Sequence, residues 1–120
     1  MKGKKVLVGI TGGIAAYKAP ELVRLLVKAD FQVEVAMTES ATWFVTPLTL
    51  ETLSGNKVIT RMFGRDETPM DHIRCGQDAD LIIIAPATAN IIGKMAHGIG
   101  DDFLSTCMLA ATARTLMCPA

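Results

Sequence analysis

The chain has 120 residues, half of them hydrophobic, and its 12 basic and 12 acidic side chains cancel to zero net charge. That is the length of one domain, able to bury roughly two thirds of its unfolded surface. With neither a basic patch nor an acidic tail, nucleic acid is not expected as a partner, and no apolar run approaches the ~20 residues of a membrane span.

Lys2, Lys4 and Lys5 precede a short apolar run, Val6 to Ile10, which breaks at Thr11-Gly12-Gly13. The start therefore reads as a buried parallel strand over 5–11, not a targeting segment. Leu22, Leu25, Leu26 and Ala29 recur at helical spacing, with Pro20 near the expected helix start. Residues 31–37 read as a second strand. Thr46-Pro47 resembles an N-cap followed by proline at the first helical position, and Ser54-Gly55 should end that helix. Residues 57–60 suggest a short third strand, and 61–71 an irregular loop. A helical turn is expected over 73–78. Asp80 to Ala85 is a further strand, ended by Pro86. Helices are expected over 90–97 and 101–113, the second with Asp101-Asp102 at its positive end. Residues 115–118 form a last strand.

Strands alternating with helices imply an α/β fold: a Rossmann-like, doubly wound parallel sheet in three layers, with strand order 3-2-1-4-5. Residues 1–120 read as a single domain, incomplete at its C-terminal end. The three cysteines, Cys75, Cys107 and Cys118, form no CxxC pair, so neither a disulfide framework nor a metal site is expected. A reduced, cytoplasmic setting follows from that usage.

In that strand order the first and fourth strands flank the topological switch point, where ligands bind beyond the carboxyl ends. Thr11-Gly12-Gly13-Ile14 should face Pro86-Ala87-Thr88-Ala89-Asn90 across one crevice, flanked by Met37-Thr38-Glu39-Ser40. The glycine turn is neither GxGxxG nor a Walker loop. It can present N–H groups to a phosphate, or simply need glycine for its angles, and the loop alone does not choose. Thr38 and Ser40 suit a phosphate better than a ribose diol, unless they only cap a helix. The second strand ends without the acid that a NAD site wants, Glu39 aside. Small residues at 86–89 would let a flat ring approach, and Asn90 can donate and accept at its edge; helix capping is the commoner use of such residues. His72 can exchange a proton near neutrality, yet a lone loop histidine is more often structural. His97 reads as a helix-end histidine, and the cysteines as core residues or bystanders.

The stretches GITGGIAAYKAPELVRLL, VEVAMTESATWFVTPLTLETLSG, MDHI, ADLIIIAPATANIIGKMAHGIGDDFLST and the closing CPA are similar to one family. From Lys5 onward the chain resembles the phosphopantothenoylcysteine decarboxylase domain of the bifunctional coenzyme A biosynthesis flavoproteins, among the flavin-containing cysteine decarboxylases. The resemblance implies FMN as cofactor, with Gly12, Gly13 and Ile14 at its phosphate end. Thr38, Ser40 and Phe44 would touch phosphate, ribityl or ring, and Ala87, Thr88, Ala89 and Asn90 would line the isoalloxazine. His72 matches the catalytic histidine. The implied reaction is FMN-dependent decarboxylation of 4′-phosphopantothenoylcysteine to 4′-phosphopantetheine. The implied assembly is a homotrimer, or a dodecamer of trimers, with FMN at trimer interfaces.

Two departures accompany the resemblance. The family continues after the closing proline-alanine pair into a Met-Asn motif and a flap cysteine, so residues 1–120 are expected to be a truncated domain. Ile91 stands where relatives carry threonine. A flavin prenyltransferase on the same scaffold is one alternative, though its Gly-Ala-Ser-Gly type first loop is not matched here. Another is a non-catalytic flavin-binding or regulatory relative.

Overall fold

The structure is a computed structural model that describes residues 3–60 and 71–119. Four strands form one parallel sheet: β1 (Lys5–Ile10), β2 (Gln32–Met37), β3 (Leu81–Ala87) and β4 (Arg114–Pro119), in the order β2-β1-β3-β4. Val8 pairs with Val35 on one side and Ile83 on the other. The helices are α1 (Ala19–Lys28), α2 (Pro47–Ser54), α3 (Asp71–Asp78), α4 (Ala89–His97) and α5 (Phe103–Ala110). Two 3-10 turns, Ile14–Lys18 and Ser40–Trp43, follow β1 and β2.

Period-two alternation builds a core on each face of the sheet. Val6, Val8 and Ile10 face one way with Val33, Val35 and Met37, packed against Ala19, Val23 and Leu50. Leu7, Ile82 and Ile84 face the other way, against Ile91, Phe103, Leu104 and Cys107. Each fully buried aliphatic side chain contributes ~1.5–3 kcal/mol, so the two layers hold the sheet between helices. Gly9 is the gap that lets one layer close. A Cβ there would meet Ile84 at 2.7 Å and Leu104 at 2.8 Å.

Local chemistry sets the helix ends. Thr46 accepts from the Thr49 N–H, Pro47 opens α2, and Gly55 closes it at φ 75° in the left-handed region. Four expectations need correction. The third strand at 57–60 is reduced to a single parallel bridge between Ile59 and Ala36, so the sheet has four named strands instead of five. Pro86 does not end β3, which runs to Ala87 across a register shift. The last helix is shorter than 101–113 because Asp102 caps its start and Ala111 leaves helical angles at ψ 134°. The segment around His72 is helical from Asp71, not a loop up to residue 72. The loop expected over 61–71 lies, up to residue 70, outside the described residues.

Candidate functional site

Thr11, just after β1, is only 1% exposed. Its hydroxyl donates to the Pro86 carbonyl and accepts from the Thr88 N–H at 3.1 Å. One buried side chain thus ties the turn after β1 to the turn after β3, and leaves no orphaned polar atom of its own. Gly12 brings in the third turn. A Cβ on it would lie 2.3 Å from Ser40 Cβ and 2.9 Å from the Ser40 carbonyl carbon, closer than atoms pack. Glycine is required at 12 for close approach. Neither Gly12 nor Gly13 has a positive φ, and Gly13 is extended at φ −149°, so the turn-angle reading of the pair fails. A Cβ on Gly13 would stand 3.7 Å from the Thr88 methyl, which sets the glycine turn face to face with the turn after β3.

The capping reading holds at Thr88, while Thr38 makes a side chain–backbone bond ahead of a turn whose N-cap is Glu39. Thr38 accepts from the Ala41 N–H at 3.3 Å, at the start of a 3-10 turn. Thr88 accepts from the Ile91 N–H at 3.4 Å at the N-cap of α4. A hydroxyl that accepts from a backbone N–H keeps its own proton to donate, so capping and ligand binding are compatible.

These turns enclose a cavity of about 180 Å³ lined by Thr11, Gly12, Thr38, Ser40, Thr88, Asn90 and Ile91. Thr38, Ser40 and Asn90 also line a second cavity of about 580 Å³, which runs past Met37 and Glu39 to Lys94, Asp101, Asp102, Phe103 and Leu104. That volume suits a small ligand, and its position at the carboxyl ends of parallel strands suits the switch-point rule. Asn90 is exposed, in the first turn of α4.

The far wall of the larger cavity is charged. Lys94 Nζ lies 2.7 Å from Asp101 Oδ1 and 3.4 Å from Asp102 Oδ2, with the lysine side chain 17% exposed. The hydrogen bond that Lys94 donates to Asp101 raises the Lys94 pKa above its ordinary value against the opposing effect of burial, and the same bond lowers Asp101. Asp102 also accepts from the Ser105 N–H at 2.7 Å while the Asp102 N–H donates to Ser105 Oγ at 3.1 Å, a capping box.

Other predicted positions fall elsewhere. Ile14, opening the first 3-10 turn, is 76% exposed, Phe44, just after the second, is 47% exposed, and Ala89 is exposed at the start of α4; none of the three lines either cavity. Ala87 is buried in the core beneath α4 and α5. Ile91 packs in that same core, 1% exposed, so the isoleucine serves packing as well as the cavity wall. His72 sits in the first turn of α3, and its side chain lies outside the described residues. Cys107 is fully buried, and burial pushes its thiol up to about 12, which suits a core role. His97 ends α4, before Gly98 in the left-handed region. Sequence reasoning placed Thr11 in the crevice turn without giving its hydroxyl a role, and it missed Lys94. The Asn90–Lys94 spacing of four on one helix was a signal for the second. For Thr11 only the buried contacts reveal it.

The profile of the family described as Flavoprotein matches residues 1–120. The chain is 50% identical over 114 residues to the coenzyme A biosynthesis bifunctional protein CoaBC of Borreliella burgdorferi, covering 95% of this chain and 29% of that protein. To the protein of the same description in Bacillus subtilis it is 50% identical over 122 residues, covering 100% and 30%. The chain thus spans about three tenths of the length of these curated relatives. Among solved structures, the FMN-dependent cysteine decarboxylase SpaF superposes with a TM-score of 0.88 at 31% identity, covering 97% of this chain and 67% of that one. A PPC decarboxylase variant complexed with pantothenoylaminoethenethiol gives 0.81 at 26% identity, covering 99% and 68%.

Proposed function

The chain belongs to the Flavoprotein family, and from that premise we propose that residues 1–120 are an FMN-dependent decarboxylase domain acting on 4′-phosphopantothenoylcysteine in coenzyme A biosynthesis. The observation that carries this reading is the Thr11 tie. It brings the turns at 11–14 and 86–90 together beside Ser40, at the pole of the sheet where a flavin would lie. The relatives' descriptions supply the chemistry: CoaBC for the pathway, FMN-dependent decarboxylation for the reaction.

The residues present fit the cofactor. Thr38 and Ser40 offer hydroxyls for a phosphate or ribityl chain, with Gly12 and Gly13 giving close backbone approach. Thr88 and Asn90 border the same space for the ring edge. When bound, FMN supplies a two-electron acceptor that oxidises the substrate's cysteine moiety, making its carboxylate easy to lose as carbon dioxide, and then returns the electrons. The chain's own residues position the reactants and handle charge. His72, carried on α3, is assigned the acid/base or electrostatic partner of the departing carboxylate. Gly12, Gly13, Ile14, Thr38, Ser40, Phe44, Ala87, Thr88, Ala89 and Asn90 complete the assigned cofactor set.

Ile14 and Phe44 have a place in this reading although they line neither cavity. Exposed apolar residues sit on or next to the 3-10 turns that follow β1 and β2: Ile14, Tyr17, Trp43 and Phe44. Such a patch supports self-association, which we read as a homotrimer with the cofactor at its interfaces. Among the described residues no helix is long and apolar enough to cross a membrane, and we place the protein in the cytoplasm with its pathway.

Purified protein should carry, or take up, a flavin with its visible absorption band. Colourless protein that cannot be reconstituted with FMN would sink the proposal. In a chain extended to the length of its relatives, His72→Asn should keep the flavin and abolish carbon dioxide release. Full turnover by that variant would remove His72 from the mechanism.

A further inference from the structure

Helix α4 does two things at once. Its first turn carries Asn90 to the cleft, and its next turn carries Lys94 to the same cavity. Residues four apart share a helix face. Lys94 is not a loose surface lysine. Its side chain is largely covered, and its ammonium bridges Asp101 and Asp102 from the segment that starts α5. Asp102 in turn holds the buried Ser105 through the capping box.

The intervening turn is folded back tightly. The Ile99 N–H donates to the Lys94 carbonyl at 2.9 Å, and the Thr106 hydroxyl donates to the Gly100 carbonyl at 3.1 Å. A Cβ on Gly100 would strike Leu109 at 2.6 Å. The clasp therefore joins α4 to the start of α5, where Phe103 and Leu104 enter the core, as Ile91 does near the start of α4. Asn90 lies one helical turn before the clasped Lys94, is exposed, and lines the same cavity.

From this geometry we infer that Lys94 is a positioning residue: its clasp on Asp101 and Asp102 fixes α4 so that Asn90 meets the ligand in the cleft. The flavin part of this inference rests on the proposed function. The positioning part does not, because it concerns the ligand-free protein. Lys94 and its partners are spent on one another, so the lysine acts through Asn90 and not as a binding charge.

The test uses the whole chain and two readouts. One is the Asn90 side-chain amide in ¹H–¹⁵N spectra of ligand-free protein. The other is the Kd for FMN by flavin fluorescence. Lys94→Met keeps the aliphatic stem and removes the ammonium; it should shift the Asn90 amide and weaken FMN binding about tenfold. Lys94→Arg should restore both. Asp101→Asn, a milder change at an exposed partner, should move both readouts in the same direction by less and serves if Lys94→Met fails to fold. Leu26→Ala, which trims the half-buried edge of α1 on the other core, is the control. It should lower Tm and leave both readouts alone. An Asn90 amide unmoved in Lys94→Met, or moved equally by Leu26→Ala, would overturn the inference, as would a moved amide with unchanged FMN Kd. If the wild type binds no FMN at all, the decarboxylase reading falls and the Asn90 amide alone decides the role of Lys94.

Discussion

The two walls of the cleft are held by different forces. On the glycine side, turns from three strands are locked by contact and by one buried hydroxyl: Gly12 lies against Ser40, and Thr11 lies between Pro86 and Thr88. On the α4–α5 side the wall is held by charge and caps: Lys94 with Asp101 and Asp102, and Asp102 with Ser105. The first wall should respond to volume and to loss of a buried donor, and hardly to salt. The second should respond to charge and pH, and only weakly to volume. The difference follows from burial. Thr11 is sealed in the interior, whereas Asp101 is 62% exposed at its side chain.

The largest effect expected from this contrast is at Gly12. Gly12→Val places a branched side chain where even a Cβ would lie 2.9 Å from a backbone carbon of Ser40. Overpacking of this kind costs about 3 kcal/mol or more when backbone must move. Urea unfolding should show it, together with lost flavin uptake; a variant with wild-type midpoint would mean that the three turns are not in register. Thr11→Val comes next. It is nearly isosteric, yet strands the buried Pro86 carbonyl and Thr88 N–H, at a cost of about 2 kcal/mol. Thr11→Ser should recover most of that loss. Equal stability of the Val and Ser variants would show that the hydroxyl does not tie β1 to β3.

Much of this was legible in the sequence wherever the signal is local. Thr46-Pro47 and Gly55 delimit α2 because cap and left-handed closure are one-turn chemistry. The parallel sheet follows from apolar runs that alternate with helical ones, and the meeting of turns 11–14, 38–40 and 86–90 follows from strand order. The failures share a cause as well. The third strand was read from propensity, but pairing is tertiary, and Ile59 finds only one bridge on the outer edge of β2. Pro86 was read as a stop, but β3 shifts register there and Thr11 takes up the Pro86 carbonyl, so the missing N–H is tolerated in a central strand. The tie made by the Thr11 hydroxyl is invisible in the sequence because its partners are 75 and 77 residues away. Lys94 was passed over because a lysine near a helix end is ordinarily solvated.

A smaller effect should follow from cutting the cap on the charged wall. Asp102→Ala removes the acceptor for the Ser105 N–H and leaves the buried Ser105 hydroxyl without that carboxylate. Losing an N-cap costs about 1 kcal/mol. Thermal unfolding should register it, and hydrogen exchange should quicken at the first turn of α5 while the Thr88 amide, on the other wall, keeps its protection. A matching loss at Thr88 would mean that the two walls are mechanically one.

The smallest effect concerns pH, and its sign is fixed by the two partners. Asp101 is held below its ordinary value of 3.8, so its contribution is present above that value and is lost as pH falls through the lowered one. Lys94 is held above its ordinary value of 10.5, so its contribution is complete below that value and is lost as pH rises through the raised one. The clasp is therefore whole across neutrality. The Tm difference between wild type and Asp101→Asn should stay constant from about pH 5 to about pH 9, then shrink toward zero in acid, where the wild-type carboxylate also becomes neutral. The Thr11→Val difference, by contrast, should not change across the same acid range, since neither partner of that hydroxyl titrates. A flat Asp101→Asn difference persisting to pH 2 would show that the charged wall is held by neutral hydrogen bonding, as the glycine wall is, and would erase the distinction between them.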